Sequence, residues 1–292
     1  MGDTRNFRKE YDDFMQRFPY QTAVVDGVKV RYQYGGKETA PILFFFNGLE
    51  MQEMWMPYAE GLRDRYRFLI YEYPLHTTDP EKQIDFATKL LEKLSIEKVV
   101  LVGASDGGVY AQIFAKRHPE IVQAMILTTT LTVDSDYVRD IRKERFSTPL
   151  LLLTLKLVPA KTEMKLLLKK SAGFLECESE ADRRYGREFY ETVASDLNYK
   201  KRFIHSFRCV YMLKDYPSFK ADDFESLRGR IQILLPEKDI FKKEDQDRLA
   251  DLFRKLDAEI HDVPGGHVGF IVQAEQYIDL MKTFLQKNGI WQ

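Results

Sequence analysis

The segment Gly103-Ala104-Ser105-Asp106-Gly107-Gly108 holds the residues best suited to chemistry. A serine in the pattern G-x-S-x-G can attack a carbonyl carbon when a tight turn presents its hydroxyl and a neighbouring base takes its proton. Gly103 and Gly107 remove side chains that would collide where a strand and a helix nearly touch. A helix starting at Asp106 points free N–H groups and its positive end at developing negative charge. The base must come from five histidines. His267, in Pro264-Gly265-Gly266-His267, lies in a loop that its glycines let turn sharply, so its imidazole is expected to reach Ser105. His118, His205 and His261 read as structural or surface residues. His76 reads as a lid contact or a wall of the substrate pocket.

Three fixed positions carry little information alone, so the weight falls on the elements around them. Alternating segments on either side of Asp26-Gly27 predict a hairpin. The run from Pro41 to Gly48 and the run over 67–74 are continuous and apolar, as strands buried on both faces require. A helix is expected over 52–65. Another begins at Asp79, a capping residue followed by Pro80 at the first helical position. Residues 98–105 predict a strand that runs directly into a helix ending before Pro119, which places Ser105 at a strand-to-helix junction. Further strands are expected over 122–132, 230–236 and 258–264, with helices between them and a last helix from about 268 to 286. Alternation of this kind predicts a mostly parallel central sheet with helices on both faces.

Residues 133–222 break the alternation with charged and aromatic residues at helical spacing. They are expected to form a helical lid over the carboxyl edge of the sheet, inserted into a core of 1–132 and 223–292. The apolar run 149–158 is too short to span a bilayer and reads as a buried or lid helix. The basic and aromatic stretches of this insertion read as a solvated helical face.

Lys plus Arg number 44 against 45 Asp plus Glu, a net charge of −1 that excludes general attraction to nucleic acid or an anionic membrane. The charged N-terminus has no apolar core and is not a secretory signal. Two cysteines fit neither a disulfide framework nor a metal site, which points to a reducing, cytoplasmic setting.

The order of elements, the Gly-Ala-Ser-Asp-Gly-Gly turn and the late histidine resemble the α/β-hydrolase superfamily, from about residue 20 onward. Residues 73–127 are similar to its maspardin-like branch, where a short tyrosine-proline segment follows the fourth strand. The resemblance implies an acid between serine and histidine. Asp239 has the expected position; Glu237, Asp134 and Asp136 are fallbacks. It implies an oxyanion hole from the backbone N–H groups of Asp106 and Leu49, with Asn47 standing where a histidine is usual. It also implies esterase-like hydrolysis of a small-molecule ester, thioester or amide through an acyl-enzyme, with no metal or organic cofactor.

Asn47, Glu50, Trp55 and His76 are expected near the substrate. Asp106 reads either as a capping residue or as a carboxylate for a cationic amine. Met51, Met54, Trp55 and Met56 are either acyl pocket or plain core. A non-catalytic adaptor on the same fold is the alternative function, and His267 argues against it. An aspartate-nucleophile enzyme is disfavoured, because the turn carries serine.

Overall fold

The computed structural model describes residues 5–138, 157–176, 178–196 and 198–290. Eight strands form one sheet in the order β1-β2-β4-β3-β5-β6-β7-β8. They are β1 (Gln21–Val25), β2 (Val28–Gly36), β3 (Ile42–Phe46), β4 (Arg67–Tyr71), β5 (Val99–Ala104), β6 (Val122–Thr128), β7 (Ile231–Lys238) and β8 (Glu259–Gly266). The hairpin β1–β2 turns at Asp26-Gly27, both with positive φ (49° and 77°), and pairs antiparallel onto β4. All other pairings are parallel. Every residue of β3 and β5 is buried, which is why those segments lack the alternation of a half-exposed strand.

The helices are α1 (Phe7–Arg17), α2 (Met56–Leu62), α3 (Pro80–Lys93), α4 (Asp106–Arg117), α5 (Ala160–Phe174), α6 (Glu180–Ser195), α7 (Tyr199–Leu213), α8 (Lys243–Arg254), a single turn α9 (Gly269–Val272) and α10 (Ala274–Lys287). Asp79 caps α3 by accepting from the Glu81 N–H at 2.9 Å, as its position before Pro80 predicts. Strand β6 stops at Thr128, short of the expected 132, and two expected helices differ from the sequence reading. The helix expected from residue 52 opens as a 3₁₀ segment, Gln52–Trp55, before α2 begins. The last helix is broken at Gln273 into α9 and α10.

The described part of 133–222 contains α5, α6 and α7 and, among the described residues, no strand. Most of the apolar run 149–158 lies outside the described residues, as does Cys177. Helix α1, unforeseen in the sequence, packs against α6. Phe7 packs edge-on against Tyr185 and Phe189 of α6 at 5.3 and 5.2 Å. Its backbone N–H donates to Glu188 at 2.7 Å, and Tyr185 donates to Glu10 at 2.7 Å. Two apolar cores, one on each face of the sheet, include residues of α6 and α7, so these helices are built into the body rather than laid on its surface. No described helix is long and apolar enough to cross a membrane.

Candidate active site

Strand β5 delivers Ser105 at the centre of the sheet, and α4 begins one residue later. Ser105 has φ 54° and ψ −131°, a left-handed conformation that costs a non-glycine residue on the order of 1–3 kcal/mol. The surroundings hold it there. Its carbonyl accepts from Gly108 N–H at 3.0 Å and from the Thr130 hydroxyl at 2.5 Å. The glycines are needed for space: a Cβ on Gly107 would lie 2.3 Å from the Phe46 carbonyl oxygen, and one on Gly103 2.6 Å from the Gly108 Cα.

His267 follows β8 directly, and its Nδ1 hydrogen-bonds Asp239 Oδ1 at 2.7 Å. The Asp239 side chain, just beyond β7, is 1% exposed, so its charge is directed at the imidazole and screened from bulk water. The fallback acids are placed otherwise. Glu237 points to solvent, Asp134 accepts from the Thr132 hydroxyl at 2.5 Å, and Asp136 pairs with Arg248 at 2.9 Å. The remaining histidines are engaged elsewhere too. His118 lies 3.6 Å from Glu120, His261 bonds Glu259 at 2.8 Å, and His76 is exposed against Phe86.

Ser105 and His267 line one cavity of about 360 Å³, walled by β-edge loops and by Tyr190 of α6 and Phe207 and Tyr211 of α7. That volume lies toward the small end of ligand pockets, about 300–1,000 Å³. Its wall is apolar, and no Lys or Arg is among its described lining residues. Asp106, which faces the cavity, is the acidic residue among them. Met51 and Met54 line the cavity, whereas Trp55 and Met56 are core.

The residues expected near substrate are placed differently from the reading of the sequence. Asn47, Glu50, Trp55 and His76 are not among the cavity's lining residues. Asn47 is fully buried and donates from Nδ2 to the Tyr71 carbonyl at 2.7 Å, fastening the loop after β3 to the end of β4. Trp55 stacks near Phe45 at 4.7 Å inside the core. Glu50 is fully buried and pairs with His205 of α7. Their short polar or aromatic side chains beside a motif look the same in sequence whether they face ligand or core.

Two side chains of α7 control the loop that carries Leu49 and Glu50. Both residues are left-handed, with φ 45° and 53°. Arg202, 4% exposed, donates from Nη1 to the Glu50 carbonyl at 2.9 Å and to the Gln52 side chain. From Nη2 it reaches Asp196 at 2.7 Å and Glu53 at 3.4 Å. His205 bonds the Glu50 carboxylate through Nδ1 and the Thr77 carbonyl through Nε2 at 2.8 Å. Burial opposes its charged form, but these two acceptors outweigh burial and raise the His205 pKa. Cys209 completes the cluster, yet its Sγ lies 3.6 Å from both ring nitrogens of His205. The sulfur therefore sits over the ring face, off the in-plane lone pairs a metal would need. The Leu49 N–H donates to Asp106 Oδ1 at 2.8 Å.

Residues 41–274 match the family described as alpha/beta hydrolase fold, and the chain belongs to that family. Three solved structures have the same fold at low identity. A bacterial membrane phospholipase A is 17% identical with a TM-score of 0.70, over 97% of this chain and 91% of the other. An esterase from Thermogutta terrifontis is 16% identical with a TM-score of 0.70, over 92% and 98%. An enol-lactonase from Burkholderia xenovorans is 17% identical with a TM-score of 0.66, over 91% and 100%.

Proposed function

We propose that the chain is a serine hydrolase that cleaves small, uncharged, largely apolar esters through an acyl-enzyme on Ser105. The observation that carries this reading is one shared cavity: the strained Ser105 and the His267 held by Asp239 both open into it. In the first step Ser105 Oγ attacks the carbonyl carbon, and its proton passes to His267 Nε2. Asp239, bonded at Nδ1, fixes the tautomer that leaves Nε2 free and stabilises the imidazolium that forms. The tetrahedral intermediate collapses, the alkoxide leaves with the proton from His267, and water activated by the same histidine releases the acid.

The negative oxygen of the intermediate is assigned to the N–H groups of Leu49 and Asp106. The apolar wall without described cationic residues favours a neutral acyl group over a carboxylate-bearing one. An esterase and an enol-lactonase of the same fold support ester cleavage. Within the family we place the chain in the maspardin-like branch on residues 73–127. His267, bonded to its acid, favours catalysis over an adaptor role.

The test is a pre-steady-state burst with p-nitrophenyl butyrate. One equivalent of p-nitrophenol per chain, absent in Ser105→Ala, is expected. Hydrolysis without Ser105 dependence overturns the proposal.

A further inference from the structure

The Asp106 side chain engages one of the N–H groups assigned above to the reaction's oxyanion. Its Oδ1 accepts the Leu49 N–H at 2.8 Å. A carboxylate oxygen on that N–H resembles the charged oxygen of the tetrahedral intermediate, so the two compete for one donor. The loop cannot easily turn its donor elsewhere. Leu49 and Glu50 are both left-handed, and α7 grips the loop through Arg202 on the Glu50 carbonyl and His205 on the Glu50 side chain. The aspartate, by contrast, lines the cavity, which gives its side chain somewhere to go.

We propose that Asp106 is a built-in oxyanion mimic that keeps the site closed to a substrate carbonyl until its carboxylate is displaced or neutralised. The inference rests on Ser105 catalysis as proposed above. Protonation weakens the carboxylate as an acceptor and removes its competing charge. Burial pushes the Asp106 carboxyl up to about 7, against the lowering effect of neighbouring backbone N–H groups, that of Leu49 first, and Glu50 adds like-charge repulsion. The groups facing it are Glu50 and Leu49 from the β3 loop, Tyr73 after β4, Tyr110 of α4, Tyr137, Cys209 of α7, and, across the cavity, His267. None of these is a lysine or arginine that would hold the carboxylate ionised.

The experiment compares wild type with Asp106→Ala and Asp106→Asn in the hydrolysis of p-nitrophenyl butyrate from pH 6 to pH 8. The readout is the ratio of the Ala variant's kcat/KM to that of wild type at each pH. It is expected to exceed one and to rise about tenfold over this range, as Asp106 passes from mostly neutral to mostly ionised. Asn keeps an acceptor for the Leu49 N–H but no charge, so its ratio to wild type is expected to rise over the same range while its kcat/KM stays below that of the Ala variant by a factor independent of pH. Thermal melts and labelling of Ser105 by a fluorophosphonate accompany each variant. Folded, labelled variants whose ratio is one or less at all pH values overturn the inhibitory role and leave the nucleophile standing. Folded protein that is unlabelled in all three forms overturns both readings.

Discussion

Replacing Arg202 with methionine keeps the apolar stem of the side chain and removes its charge from two structures at once. The guanidinium is 4% exposed and Glu53 5%, so the variant leaves a buried carboxylate without its cation. Breaking such a pair costs about 3–5 kcal/mol. The lower figure applies here, because Asp196, the second acid on Arg202, is 26% exposed and regains water. At about 2–4 °C per kcal/mol for a chain of this size, the melting temperature should fall by about 6–12 °C.

The kinetic effect comes through a different bond. The 2.9 Å contact from Nη1 to the Glu50 carbonyl braces the residue next to Leu49. Losing an oxyanion donor outright costs about 10²–10³ in kcat, and a donor that is loosened rather than lost should cost about 10 to 10². KM should move much less, because that hydrogen bond strengthens as charge develops on the oxygen. Burial already raises the Glu53 pKa, and removing Arg202 raises it further. An acid with a raised folded-state pKa is neutral in both states at low pH and destabilises as the pH rises above its unfolded value. The stability deficit of the variant should therefore be greater at pH 8 than at pH 5. Steady-state hydrolysis of p-nitrophenyl butyrate at 25 °C and calorimetry at both pH values are the assays. A destabilised variant whose kcat stays within twofold of wild type would refute the brace on the oxyanion loop.

Asp239→Asn should leave the fold intact and lower kcat by about 10⁴, a magnitude known from the serine protease triad, with steady-state kinetics as the check. Gly107→Ala should fail to accumulate as soluble protein or should melt well below wild type, since its Cβ would lie 2.3 Å from the Phe46 carbonyl oxygen, and both groups are backbone-fixed. Circular dichroism melts decide that case. Phe207→Ala should shift the preferred p-nitrophenyl ester to a longer acyl chain, each added methylene recovering about 1 kcal/mol, because Phe207 is part of the cavity wall. An unchanged chain-length profile would place the acyl group elsewhere. A p-nitrophenyl ester with a terminal carboxylate should have kcat/KM well below that of its neutral analogue of equal length, for want of a described cation in the wall.

The sheet was readable because buried parallel strands impose long apolar runs, as in β3 and β5, and because Asp79-Pro80 and Asp26-Gly27 are local punctuation with local causes. The strand-to-helix turn at Ser105 was readable for the same reason, its glycines being forced by backbone contact. Helix α1 was missed because its apolar residues are sparse among charges. It gains its stability from packing Phe7 onto α6, a partner nearly two hundred residues away that no local pattern announces. The substrate wall failed in a related way. Asn47 and Glu50 sit beside the site in sequence, but their polar groups are consumed by Tyr71 and His205. His205 was read as structural or surface, but its bond to Glu50 could not be seen, and Arg202 went unread because Glu53, the buried acid it pairs with, comes from another part of the chain. The contact between Leu49 and Asp106 spans fifty-seven positions, so a motif reading could name both residues without learning that they meet.

Covalent capture decides whether Ser105 is a nucleophile activated by His267. Wild-type protein, Ser105→Ala and His267→Ala are incubated with a fluorophosphonate at pH 6, 7 and 8, and adducts are located by intact mass and peptide mapping. One adduct per wild-type chain is expected, on Ser105, with none on Ser105→Ala and labelling slowed by at least about 10²-fold in His267→Ala. A folded wild-type protein without an adduct at any pH, or one modified at another residue, would contradict a nucleophilic Ser105.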